Sequence, residues 1–142
     1  MKGWLLDTNV VSEAMTLRPD VGVVRWLGVT NEALQYLSVL SIGEIRRGLS
    51  ALPHSKRRSA LENWLRHDIR ERFHDRILPV TVTVADRWGE LDARSNQMGR
   101  PLQTADGLIA ATALEHGLTL VTRNVRDFER LGVDVFNPWE SE

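Results

Sequence analysis

Three acids at the edges of apolar segments hold most of the chemistry legible in this chain. They are Asp7 in Trp4-Leu5-Leu6-Asp7-Thr8-Asn9, Glu44 in Ser41-Ile42-Gly43-Glu44-Ile45, and Asp106 in Thr104-Ala105-Asp106-Gly107-Leu108-Ile109-Ala110-Ala111. A carboxylate beside core-forming residues loses hydration and needs a partner. The two lysines, Lys2 and Lys56, adjoin none of the three. A hard divalent cation would neutralise all three at once, and an all-oxygen site of few carboxylates suits Mg²⁺ or Mn²⁺. Such an ion activates water and stabilises charge that builds on phosphate, which points to metal-assisted hydrolysis of a phosphodiester.

Each acid also has a structural reading. Asp7 follows an apolar run directly and reads as a helix cap or turn residue, or as a ligand at a strand end. Glu44 is expected in the first turn of a helix capped by Ser41, where the helix dipole favours an acid. Gly43 beside it would let a backbone or ligand approach closely. Asp106 shares a helical stripe with Ile109, Ala110, Ala113 and Leu114. That stripe must face the core, so the acid at its leading end points inward, and the helix N-terminus favours its ionised form.

The elements that would position these acids alternate. Residues 3–6 read as a buried strand, and a helix is predicted over about 10–16. Asp20 is expected to cap a helix over about 21–28. Residues 36–40 read as a second strand, followed by a helix with Ile42, Ile45 and Leu49 at helical spacing. Pro53 breaks that helix, and a basic one is predicted over about 55–74 with Leu61, Trp64, Leu65, Ile69 and Phe73 on one stripe. A short strand over 77–80 and a helix over about 83–98 stopped by Gly99 follow. Then come a helix from Thr104 to about His116 ended by Gly117, a strand over 118–122, a helix over 124–131 and a strand over 133–136. Alternation of this kind implies an α/β fold with a mostly parallel sheet, whose ligands bind beyond the carboxyl ends of the strands. Two strands run into polar text at that edge, at Asp7-Thr8-Asn9 and Thr122-Arg123-Asn124.

The length of 142 residues fits one domain over 1–142. With 42% hydrophobic and 26% charged residues, the composition is that of an ordinary soluble globular chain. The absence of cysteine excludes disulfides, thiolate zinc sites and cysteine nucleophiles, and fits a reducing cytoplasm. The first apolar run is too short for a signal peptide, and no apolar segment is long enough to span a membrane. Net charge is −1, but residues 41–76 carry nine Lys/Arg against five acids. That stretch reads either as a solvated helical face or as a basic rim for a polyanion.

In its four motifs the chain resembles the PIN-domain ribonucleases, in particular the VapC-like toxins of bacterial toxin–antitoxin pairs and their FitB-like branch. The motifs are Leu5-Leu6-Asp7-Thr8-Asn9, Ser41-Ile42-Gly43-Glu44-Ile45-Arg46-Arg47-Gly48, the Thr104–Ala113 segment, and Leu120-Val121-Thr122-Arg123-Asn124-Val125-Arg126-Asp127-Phe128. The resemblance covers nearly the whole chain. It implies a three-layer α/β/α fold, with Asp7, Glu44 and Asp106 as metal-binding acids and Thr122 ordering the site. Many members carry a fourth acid where this chain has Asn124, with Asp127 three residues on as a substitute; one firmly held Mg²⁺ (or Mn²⁺) is then expected. The resemblance further implies endonucleolytic RNA cleavage, a homodimer and a small VapB-like antitoxin. Arg46 and Arg47, within the basic stretch, are expected to meet RNA or antitoxin.

Two rivals are weighed against this reading. An aspartyl phosphotransferase would need an acid pair or a second Asp two residues after Asp7, where Asn9 stands, and a receiver would need a lysine near the last strand. A PIN fold that binds RNA or a partner without cutting remains compatible with Asn124. His54, His67, His74 and His116 lack metal-ligand spacing, and no serine sits in a nucleophile-elbow pattern. Of the five tryptophans, Trp139 is expected to be the most exposed.

Overall fold

The computed structural model describes residues 2–140. Met1 and residues 141–142 of the expected single domain lie outside the described residues. Strand β1 (Trp4–Leu6) lies at the centre, paired in parallel with β2 (Gln35–Ser38) on one side and β4 (Thr119–Val121) on the other. β3 (Ile77–Leu78) pairs with β2, and β5 (Val135–Phe136) with β4. The order is β3-β2-β1-β4-β5 and every pairing is parallel. The central strands β1 and β4 are short and largely buried on both faces, which is why they read as apolar runs and not as alternations.

Successive residues of one strand serve different layers, as the two-residue period of a strand requires. Leu5 and Leu120 pack with α6 (Val82–Gln97), α7 (Thr104–His116) and α8 (Val125–Glu129), whereas Leu6 and Val121 pack on the opposite face. That second face is covered by α1 (Thr8–Glu13), α2 (Val21–Val29), α3 (Val39–Ser50), α4 (Lys56–Asn63) and α5 (Ile69–Phe73). The result is the expected three-layer α/β/α architecture.

Several elements form where their local chemistry placed them. Asp20 caps α2 by accepting from the Val23 N–H, and Gly117 ends α7 in the left-handed region at φ 63°. Others differ. β2 stops at Ser38, not residue 40, because beyond Ser38 neither β1 nor β3 offers a paired residue. Ser38 therefore caps α3 through the Leu40 N–H, and Ser41, the expected cap, lies inside the helix. α1 starts at Thr8, two residues before the expected helix, and ends at Glu13. The basic helix is interrupted by a π-helical turn, Trp64–Asp68, in which the Ile69 N–H reaches the Trp64 carbonyl. Its buried residues Leu61, Leu65, Ile69 and Phe73 recur every four positions. That spacing drifts around a 3.6-residue helix, and one underwound turn brings them back to a common face.

Among the described residues no helix is long and apolar enough to cross a membrane.

Candidate active site

The strand order reverses at β1, whose two neighbours come from different halves of the chain. In open α/β sheets, ligands bind at that crevice, beyond the carboxyl ends of the strands. Asp7 ends β1 and Thr122 ends β4, so both stand there. α3 follows β2 without a loop and brings Glu44 to the same edge. α7 leads directly into the start of β4, so its own first turn, with Asp106, also lies at the carboxyl edge. Gly107 lets this helix sit close to α6, since a Cβ there would stand 2.7 Å from Trp88 Cδ1. A Cβ at Gly43 would meet open space, so no close packing requires that glycine.

Asp7 is 5% exposed, and its two oxygens have separate tasks. Oδ1 accepts from the Thr8 N–H at 2.8 Å, capping α1, and Oδ2 accepts from Thr122 Oγ1 at 2.8 Å. The structural and functional readings of Asp7 are thus compatible. Burial outweighs these two donors and pushes its carboxyl up to about 6, with the charges of Asp106 and Glu44 adding to the shift. Asp106 is raised as well, first by burial and then by the charges of Glu44 and Asp127. Asp127, on α8, therefore acts electrostatically on this centre, while the Asn124 side chain is exposed and makes no capping bond.

Glu44 lies in the second turn of α3, not the first, because the helix begins at Val39. Its helix-dipole rationale falls, and its partner is instead a hydroxyl. Thr8 Oγ1 lies 2.6 Å from Glu44 Oε1 and 2.9 Å from Ser41 Oγ. Having one proton, Thr8 donates to the carboxylate and can accept from Ser41. Thr122, fully buried, is a second hub: besides donating to Asp7 it accepts from the Asn124 N–H at 3.0 Å and from Asn9 Nδ2 at 3.5 Å. The sequence assigns Thr8, Ser41 and Asn9 no part in the site, Ser41 being expected only as a helix cap. The available signal was the polar text at the end of β1 and a serine inside an apolar run.

No salt bridge among the described residues reaches Asp7, Glu44 or Asp106. The donor set is all oxygen, and Asn9 Oδ1 is buried with no hydrogen-bond donor among the described residues. Uncompensated carboxylates with an orphaned amide oxygen fit a hard cation. The acids are not closed on a common point, for among the described residues no three such side chains are gathered as a ready-formed metal site.

The basic stretch is largely engaged in structure. Arg46, Arg58 and Arg66 converge on Glu62, whose carboxyl is lowered first by its hydrogen bond from Arg46. Arg57 donates to the Met15 carbonyl, Arg72 pairs with Glu32, and Arg76 donates to the carbonyls of Glu32, Gln35 and Arg72. Arg47 is exposed and has no such partner among the described residues. Trp139, expected to be the most exposed tryptophan, is half-buried beneath Arg123.

A parallel five-stranded α/β/α sandwich with acids from three segments at its switch point defines the class, and the chain belongs to the PIN domain family, whose model matches residues 4–134. Among its relatives, the VapC ribonuclease Y4jK of Sinorhizobium fredii is 38% identical over 136 residues, covering 96% of this chain and 97% of that one. Toxin FitB of Neisseria gonorrhoeae is 38% identical, covering 95% and 97%. A solved structure of FitAB bound to an IR36 DNA fragment superposes with a TM-score of 0.92 at 37% identity, covering 98% of this chain and 97% of that one.

Proposed function

We propose that this protein is a metal-dependent endoribonuclease, the toxin of a toxin–antitoxin pair, acting in the cytoplasm as a homodimer restrained by a small VapB-like antitoxin. The observation that carries the chemistry is the set of three carboxylates at one rim with no ion-pair partner among the described residues, two of them raised above their ordinary range. Bound by Asp7, Glu44 and Asp106, Mg²⁺ or Mn²⁺ would neutralise the phosphate and lower the pKa of a water. The remaining residues keep the acids ready. Thr122 fixes the Asp7 carboxylate and favours its ionised form, Thr8 holds the Glu44 carboxylate by a hydrogen bond, and the start of α7 favours ionised Asp106. The names and assembly of the relatives support the toxin and antitoxin parts of this reading.

A binding module without cleavage is the rival, favoured by an amide at Asn124; the charge of Asp127 acting on Asp106 weighs against it. Incubation of purified protein with total RNA and Mg²⁺ or Mn²⁺, with and without EDTA, decides between them. Discrete fragments that require both metal and an intact Asp106 are expected, with Asp106→Asn inactive but folded. Cleavage by Asp106→Asn at the wild-type rate would remove Asp106 from the site, and absence of cleavage by the folded wild type would favour the module.

A further inference from the structure

Beside the acids the carboxyl edge opens into a polar cleft of about 690 Å³ between α8 and the C-terminal segment. It communicates with the acid centre in two ways. The Asn124 N–H donates to the Thr122 hydroxyl that holds Asp7, and Asp127 acts on Asp106. Arg123 and Arg126 line it together with Asp127, Glu129 and Glu140, so it has no positive excess to attract a phosphate. What it does have is a plane. The Arg123 guanidinium carbon lies 5.2 Å from the centroid of the Trp139 ring. That ring is held from below by the apolar core containing Trp26, and the Trp139 backbone N–H donates to Asn137 Oδ1 at 2.9 Å. An exposed guanidinium supported on an indole keeps its π-face at little conformational cost, and unpaired RNA bases stack on arginine planes.

We propose that Arg123, backed by Trp139, is a stacking shelf for one unpaired nucleobase beside the scissile phosphate, and that the Asn124 amide reads the edge of that base. This rests on the ribonuclease reading above. Asn137 Oδ1 is already engaged, so its NH₂ remains as a second donor toward the base. On this view the amide at Asn124 exchanges a metal-directed charge for a donor–acceptor pair suited to a base edge.

The test compares wild type, Arg123→Ala and Arg123→Lys, the last keeping charge without the plane. Cleavage sites are mapped on one RNA pool with Mg²⁺, with KM and kcat measured on a single fragment. Loss of preference at one flanking nucleotide is expected in both variants, with KM raised about 10-fold and kcat little changed, the size of one stacking contact. A second readout needs no cleavage. Binding of single-stranded RNA with one abasic position moved along it is followed by anisotropy in Ca²⁺. Wild type should lose about 10-fold at one position, and Arg123→Ala should be indifferent to it. Cleavage with unchanged preference in Arg123→Ala overturns the shelf and leaves the nuclease standing. If wild type cuts nothing, the nuclease reading fails, and wild-type binding that is absent or insensitive to the abasic position overturns the shelf as well.

Discussion

At the carboxyl rim, Asp7 is raised by burial and by the charges of Asp106 and Glu44, Asp106 by burial and by those of Glu44 and Asp127, and no ion pair among the described residues reaches the three acids, whereas along α3, α4 and the turn that follows three arginines converge on a single glutamate, Glu62. Both regions are rich in charge, yet one is left unbalanced and the other balances itself. Unbalanced, partly buried charge opposes folding, so its presence marks a place where a ligand completes the structure. Self-satisfied charge marks a surface that holds helices together. Charge density alone would have ranked the two regions the other way round.

The sharpest way to break this comparison is Asp7→Asn. Cleavage should fall by at least about 100-fold, a lower bound taken from changes around metal ligands. Stability without metal should rise. The folded carboxyl of Asp7, near 6, lies above its ordinary value of 3.8. Its contribution is therefore complete below pH 4 and is lost as pH rises through 6. The shift is worth up to about 3 kcal/mol at pH 7.5, and about 1 kcal/mol of that returns on acidifying to pH 5. Urea melts in EDTA at both pH values should show wild type gaining on acidification and Asp7→Asn already stabilised at pH 7.5. A variant less stable than wild type at pH 7.5 would mean that the rim is not under electrostatic strain.

Thr122→Val comes next. It removes the buried donor to Asp7 Oδ2 and the acceptor for the Asn124 N–H. Activity should drop by about 10- to 100-fold, and thermal unfolding should report a loss of about 1–3 kcal/mol. Thr122→Ser should restore most of both.

The smallest effects should separate Arg46 from Arg47. Arg46→Gln frees a partly exposed ion pair and should change stability by less than about 1 kcal/mol, with RNA affinity unaltered. Arg47→Gln should leave stability alone and lower the salt dependence of RNA binding by about one unit of slope. Equal weakening of RNA binding by both would show that the ion pair at Glu62 does not withdraw Arg46 from the surface.

Much of the fold was legible because its elements are punctuated locally. Asp20, Gly99 and Gly117 mark helix ends through their own backbone and capping chemistry, and each does so in the structure. The start of α3 was not legible, because Ser38 and Ser41 are equally good caps and only the exhausted sheet pairing selects Ser38. The π-turn at Trp64–Asp68 was not legible in the sequence, which predicts one unbroken helix there, although the four-residue spacing of Leu61, Leu65, Ile69 and Phe73 drifts around an ordinary one. Within the site, the three acids stood out as charges in apolar text. Of the hydroxyls that hold two of them, Thr122 entered only through the family resemblance and Thr8 not at all, since a threonine looks the same whether or not a carboxylate waits 115 or 36 residues away.

By itself, the order of residues determined the alternation of strands and helices, the apolar runs that become a parallel sheet, and the identity of the acids, because propensity, capping and hydrophobic patterning act over a few residues. Only the tertiary structure decided which charges remain without partners. Arg46 and Arg47 are adjacent in sequence, yet one meets Glu62 from the next helix and the other faces solvent. The charge of Asp106 bears on Asp7 only after β1 and α7 converge on one rim. Coulomb energy and desolvation depend on distance and burial in space, and neither quantity exists until the chain has folded.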